Sequence, residues 1–218
     1  MTGTEPRVVA PADIERGGSR PESGHERVVG VVLAAGTSSR FGDGNKLLAE
    51  LNGTPLVRRA TQSLLGATSA EVVVVLGYEA DRVRDALAEC EVRFVENPEY
   101  AAGQSTSVAV GGGAARDLDA DAVVFLPGNM PFVGAGTVDS VIRAYRSGIA
   151  SAIAVAHDGD RGNPVLFDSR HFGALAAVDG DTGGRSVLLE CDDAVLLAVP
   201  DPGVRTDIDT SADLARHR

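Results

Sequence analysis

Short runs of aliphatic residues, alternating with stretches of helical character, set the fold class of this 218-residue chain. Val28–Leu33, Glu71–Leu76 and Asp121–Leu126 are apolar at nearly every position, as expected of strands buried on both faces in a parallel sheet. Val92–Val95, Ile149–Ala156, Asn163–Phe167 and Ala194–Val199 supply further strands, with a loop expected at His157 to Arg161. Helices are expected between them. The first is capped by Thr54, with Pro55 at its first position and Leu56, Ala60, Leu64 and Leu65 on its apolar face. Asp81–Cys90, Ala101–Ala115, Thr137–Arg146, Arg170–Val178, a helix opened by Gly180 to Arg185 and running to Leu189, and Ser211–Arg216 follow. Such alternation implies right-handed crossovers and a mostly parallel sheet covered on both faces. Residues 1–26, rich in Pro, Gly, Glu, Arg and Ser, read as a disordered leader. Residues 27–218 then form one domain with a full core.

Composition narrows the function. A net charge of −11 argues against a general nucleic-acid binder, which needs a basic footprint. The two cysteines, Cys90 and Cys191, make neither a metal cluster nor a disulfide framework and read as space-fillers at element ends. No apolar run approaches the roughly 18 residues of a membrane span, and no signal-peptide core is visible. A cytoplasmic location without membrane or nucleic-acid partners is expected.

Ligands of parallel sheets sit beyond the carboxyl ends of the strands. Three motifs fall in that zone: the Ala-Ala-Gly loop, GQSTS and PGNMPF. After Leu33 the chain passes through Ala34, Ala35 and Gly36, then a polar turn with Ser38, Ser39, Arg40, Gly42 and Gly44, and reaches Lys46. Small residues let backbone N–H groups close on an anion, and consecutive N–H groups form a nest for phosphate. Arg40 and Lys46 add positive charge. Lys46 is the only lysine in an otherwise arginine-using chain, a compact point charge where phosphate contact is wanted. Leu47 after the lysine excludes a P-loop, and Gly36 to Gly42 lacks the dinucleotide spacing. The stretch reads as a triphosphate cradle. GQSTS reads equally well as a helix N-cap.

The loop resembles the L-A-x-G-x-x-x-R-x-G…K loop of the molybdopterin nucleotidyltransferase-like (MobA-like NTP transferase) family. LAAG with NKLL resembles its molybdenum cofactor cytidylyltransferase branch, whereas the guanylyl branch has LAGG. NPEYAAGQSTSVAVG, PGNMPF, RGNPVLF, GDTGGRSVL and DIDTSADL follow in the family's order, so the resemblance spans roughly Val28 to Leu214. It implies a three-layer α/β/α sandwich with a Rossmann-like nucleotidyltransferase sheet. It also implies transfer of CMP from CTP to the terminal phosphate of a molybdopterin-type acceptor, releasing pyrophosphate with Mg2+. By resemblance, Arg40 and Lys46 hold the β- and γ-phosphates, and Leu33, Ala34, Ala35, Gly36, Asn97, Gly103 and Ser105 hold the nucleotide. Asn163, Pro164, Gly183, Gly184 and Arg185 hold the acceptor; the family often has His where Asn163 stands. The metal falls to Asn129 and Asp209, with Asp207 as a helper; the alternative use of both aspartates is capping the last helix. A molybdoenzyme of the xanthine dehydrogenase type would lie downstream.

Two features bear on the chemistry. The attacking group would already be a phosphate oxygen, so no general base is required, and His25, His157, His171 and His217 lie outside the motifs. The family has Gly-Asp-Met-Pro or Cys-Asp-Met-Pro where this chain has Gly128-Asn129-Met130-Pro131. A neutral ligand there weakens the hold on a hard dication. The competing readings are a guanylyltransferase of the same fold, a sugar-1-phosphate nucleotidyltransferase, and a low-turnover nucleotide- or cofactor-binding chaperone.

Overall fold

The computed structural model describes residues 6–12, 26–42, 44–67, 71–178, 180 and 183–217. Its centre is strand β2 (Val28–Ala34), flanked by β5 (Glu71–Leu76) on one side and β7 (Ala122–Pro127) on the other. With β1 (Arg7–Val9), β6 (Arg93–Glu96), β8 (Ala152–His157), β9 (Asp160–Asp168) and β10 (Val195–Ala198) they form an eight-stranded sheet. Its order is β1-β10-β8-β9-β7-β2-β5-β6. Every neighbouring pair is parallel except those made by β9, which runs antiparallel to both β7 and β8. A small ribbon, β3 (Glu50–Leu51) with β4 (Thr54–Pro55), lies apart.

The valine-rich runs divide between two faces because successive side chains of a strand point to opposite sides. Val32, Val74 and Val124 belong to one core, with α1 (Leu56–Leu65), α2 (Ala80–Ala86) and α4 (Ala135–Arg146) packed over them through Ala60, Leu64, Val83, Val141 and Ile142. Val31, Val73 and Phe125 belong to the other, covered by α3 (Gln104–Asp117), α5 (Phe172–Ala176) and α6 (Arg185–Glu190) through Val108, Leu175 and Leu188. Each fully buried aliphatic chain contributes roughly 1.5–3 kcal/mol of transfer free energy. The expected three-layer sandwich is what forms. A third, small cluster (Leu51, Leu56, Ile208 and Leu214) fastens α7 (Ser211–Ala215) beside the loop that follows β2.

Several boundaries differ from expectation. Part of the stretch expected to be a disordered leader supplies edge strand β1, in register with β10 and with Val9 buried; residues 1–5 and 13–25 lie outside the described residues. Thr54 and Pro55 sit in β4, and α1 begins at Leu56 without a side-chain cap. The expected loop at His157 to Arg161 is a two-residue turn. Asp158 and Gly159 both adopt positive φ (51° and 86°), the type I′ signature of Asp-Gly that joins β8 to β9. Segment 170–178 is a 3-10 turn (Ser169–His171) followed by α5, with the Asp168 side chain accepting from Arg170 N. The capping box of α7 belongs to Thr210 and Asp213, leaving Asp207 and Asp209 for other work. No helix among the described residues is long and apolar enough to cross a membrane.

Helix α3 comes close to the sheet at Gly111. A Cβ there would lie 2.7 Å from Val31 Cγ1 and 3.0 Å from Phe125 Cε1, whereas one at Gly113 would meet nothing within 4 Å. Gly111→Val is expected to cost about 1–3 kcal/mol by overpacking. Gly113→Ala should gain about 0.5–1 kcal/mol from helix propensity. Urea unfolding of the two variants measures both signs.

Candidate active site

The loop after β2 is held from behind by two buried polar side chains, Ser38 and Asn45. Ser38 Oγ donates to Asn45 Oδ1 at 3.2 Å and accepts from Lys46 N at 3.1 Å. Asn45 Oδ1 also accepts from Leu47 N at 3.0 Å, and its Nδ2 donates to Tyr78 O at 3.3 Å. Buried Leu47 pins the short 3-10 turn (Lys46–Leu48) that carries the lysine. Behind the loop, Gly77 admits no side chain, since a Cβ would lie 2.6 Å from Tyr100 Cβ and 2.7 Å from Ala35 Cβ. In front, a Cβ at Gly36 would meet nothing within 4 Å. The loop is clamped on its inner side and open on its outer one.

Opposite stands the strap from Pro202 to Thr210. Ile208 N donates to Asn129 O at 2.9 Å, which ties the strap to the end of β7. Two contacts are backbone against backbone: a Cβ at Gly162 would lie 2.2 Å from Val204 O, and one at Gly203 would lie 2.2 Å from Phe132 O. The strap delivers Asp209 to the loop. Asp209 Oδ1 lies 2.6 Å from Lys46 Nζ and Oδ2 lies 2.7 Å from the Arg40 guanidinium, while Asn129 Nδ2 donates to Oδ1 at 3.1 Å. The Lys46 and Asp209 side chains are 17% and 18% exposed and Arg40 is 73% exposed, so the lysine contact is the shielded one and the arginine contact is weakened by solvent.

The two carboxylates of the strap titrate in opposite directions. Burial pushes Asp209 up, but the hydrogen bond and charge of Lys46, with the charge of Arg40, outweigh it and hold its carboxyl below the ordinary value. Asp207 is held above it, first by burial and then by the negative charge of Asp209.

Between loop and strap lies a cleft of about 800 Å³. Of the expected residues, Leu33, Ala35, Gly36, Arg40, Lys46, Gly103, Asn129, Asn163 and Asp209 line it. A pocket of about 130 Å³ adjoins it, sharing Leu33, Gln104, Arg161 and Asn163, and is lined also by Gly183, Gly184 and Arg185. Four expected residues are displaced. Ala34 points into the core. Pro164 is buried within β9, behind Asn163. Asn97 is buried and braces the start of α3, with Nδ2 donating to Thr106 Oγ1 (2.8 Å) and Ser107 Oγ (3.0 Å). Ser105 is buried, its N–H bonded to Gly180 O at 3.2 Å. On the same helix start, Gln104 and Ser107 line the cleft instead. They are three apart and share a helix face, a period visible in GQSTS. Tyr100, Met130, Arg161 and Arg205 also line it. His157, His171 and His217 do not, and His25 lies outside the described residues.

The donor set suits a hard dication: the neighbouring carboxylates of Asp207 and Asp209 stand on the wall of a polar cleft, beside Asn129, whose amide would have to turn over to offer its oxygen. Burial, and after it the charge of Asp209, holds the Asp207 carboxyl above its ordinary value, and a cation beside the pair would offset the second of these. Such an acid stabilises the fold only below its unfolded pKa of about 3.9, and that contribution is lost as pH rises through the folded value. Asp207→Asn is therefore expected to melt higher than the parent at pH 7 without divalent ions. The gap should close as pH falls below about 4, as followed by thermal melts across that range.

The profile of the MobA-like NTP transferase domain matches residues 30–195. The chain is 33% identical to nicotine blue oxidoreductase of Paenarthrobacter nicotinovorans, over 87% of this chain and 95% of that protein. It is 28% identical to molybdenum cofactor guanylyltransferase of Vibrio parahaemolyticus, over 85% of this chain and 92% of that one. Among solved structures, Rv0371c of Mycobacterium tuberculosis H37Rv superposes with a TM-score of 0.75 at 28% identity, covering 88% of this chain and 97% of that chain. The same protein is also solved in complex with manganese, at a TM-score of 0.71 and 27% identity, covering 88% of this chain and 97% of that chain. By its profile match and by this sheet, the chain belongs to the MobA-like NTP transferase family.

Proposed function

We propose that the cleft binds CTP and transfers CMP to the terminal phosphate of a molybdopterin-type acceptor, with pyrophosphate leaving. The observation that carries this reading is the Lys46–Asp209–Arg40 contact: two cations on a phosphate-sized loop, held in place by an acid from the opposite wall. In this reading the polyphosphate takes over both cations. Backbone N–H groups around Gly36 hold the phosphates, Lys46 and Arg40 neutralise charge on the β- and γ-phosphates, and Arg185 receives the acceptor phosphate from the adjoining pocket. The acceptor oxygen attacks the α-phosphorus while the bond to the bridging oxygen of pyrophosphate breaks. No proton need be abstracted, so alignment and charge neutralisation carry the rate. Asp209, Asp207 and the Asn129 oxygen would hold Mg2+, which supplies further neutralisation at the phosphates. Ala35, where the guanylyl branch has glycine, favours cytosine over guanine.

Pyrophosphate release, measured with each nucleoside triphosphate in the presence of molybdopterin, should be fastest with CTP; a preference for GTP assigns the guanylyl branch instead. Lys46→Ala should lower kcat about 10²–10³-fold, the usual cost of removing one preorganised donor to developing charge. Asn129→Asp should raise activity at low Mg2+. No gain there would remove the idea that the neutral ligand limits metal binding.

A second reading draws on the 33% identity to nicotine blue oxidoreductase together with Asn129. On it, the cleft serves an oxidoreductase reaction and phosphoryl transfer is weak or lost. Loss of the nicotine blue colour on incubation with the chain and a chemical reductant, faster than with the reductant alone and with no pyrophosphate formed from any nucleotide, would establish that reading over the first.

A further inference from the structure

We propose that Cys191, His171 and Asp193, with the hydroxyl of Ser151 beside them, form a second metal site for a zinc-class divalent cation. The site lies at the edge of the sheet opposite the cleft. Ser151 immediately precedes β8, Cys191 and Asp193 lie in the turn that leads into β10, and His171 follows the carboxyl end of antiparallel β9. The cleft takes Leu33 and Pro127 from the carboxyl ends of β2 and β7. The reversed direction of β9 therefore puts Asn163 on the cleft and His171 at the other end.

The cluster unites residues from three separate segments, so sequence adjacency alone does not account for it. One ligand atom each from His171, Cys191 and Asp193 all lie within 4.8 Å of one another. Cys191 Sγ is 3.7 Å from His171 Nε2 and 3.0 Å from Asp193 Oδ1. Zinc bonds of about 2.0–2.3 Å place tetrahedral ligands roughly 3.3–3.8 Å apart, so these atoms need only small shifts. Ser151 Oγ, 2.8 Å from His171 Nε2 and hydrogen-bonded to Asp193 Oδ1, stands where a fourth ligand or a bound water belongs. Asp193 Oδ2 faces Arg170 at 4.0 Å, so Oδ1 is the oxygen turned inward. Ser151 is buried, His171 and Cys191 are half-buried, and Asp193 is exposed, which leaves a path for an ion. One thiolate, one imidazole and one carboxylate form a mixed S/N/O set that favours zinc over magnesium or calcium. On binding, the thiol gives its proton to solvent and the metal takes the place of the S–H contact to Asp193. The ion would clamp the entries of β8 and β10 to the end of β9.

Cobalt(II), a spectroscopic stand-in for zinc, separates this site from the acidic one in the cleft, because only Cys191 can give a thiolate-to-cobalt charge-transfer band. In the full chain carrying Cys90→Ser, one equivalent of cobalt is expected to produce that band. It should persist in Asp207→Asn and disappear in Cys191→Ser. Absence of the band, or its survival in Cys191→Ser, overturns the proposal. A second measurement needs no change at the cluster: in the Cys90→Ser chain, zinc should slow thiol modification of Cys191 and a chelator should restore the rate. Equal rates with and without zinc mean that the four side chains are only a hydrogen-bonded cluster.

Discussion

The carboxylate of Asp209 holds the site together. Lys46 has lost most of its contact with water, and a desolvated ammonium needs an anion beside it. That anion comes from a strap 163 residues away in sequence, so the loop after β2 and the strap are completed as one unit. The buried Ser38–Asn45 pair fixes the backbone of Lys46 from one side, and the Ile208–Asn129 hydrogen bond fixes the strap from the other. Neither half presents its charge correctly without the other.

The sheet explains why the two halves meet. Valines alternating between its faces bury two cores, and the carboxyl ends of β2 and β7 are left to open into the cleft. The strap joins this packing at one point, through fully buried Val204. Nearer Asp209 it rests on the small cluster of Leu51, Leu56, Ile208 and Leu214, which joins α7 to the ribbon and helix that follow the loop after β2. Hydrophobic packing brings the acid near, and the ion pair sets its final direction.

Much of this could be read in the chain. The continuous apolar runs gave β2, β5 and β7 their place, since few other structures bury Val72 through Leu76 on both faces. Gly36, Arg40, Lys46 and Asp209 converge because the motifs carrying them lie at strand ends. Less visible was the division of labour within GQSTS: all its polar residues suit a helix start, but only the helical period separates Gln104 and Ser107, which line the cleft, from Ser105, which does not. Asn97 misleads for a related reason, because an amide that braces a helix start and one that touches a ligand look the same in one dimension. The Asp-Gly turn at 158–159 was present as a signal, but the longer polar stretch around it hid the hairpin. Edge strand β1 has only three residues with one buried, too short for any periodicity to reveal.

The strap also bears on how substrate size is set. At Gly162 and Gly203 it rests on its neighbours with no side chain between, so peptide thickness fixes the width of the cleft at that corner. A bulkier residue at either position would lever the whole acid-bearing segment outward instead of trimming the space locally.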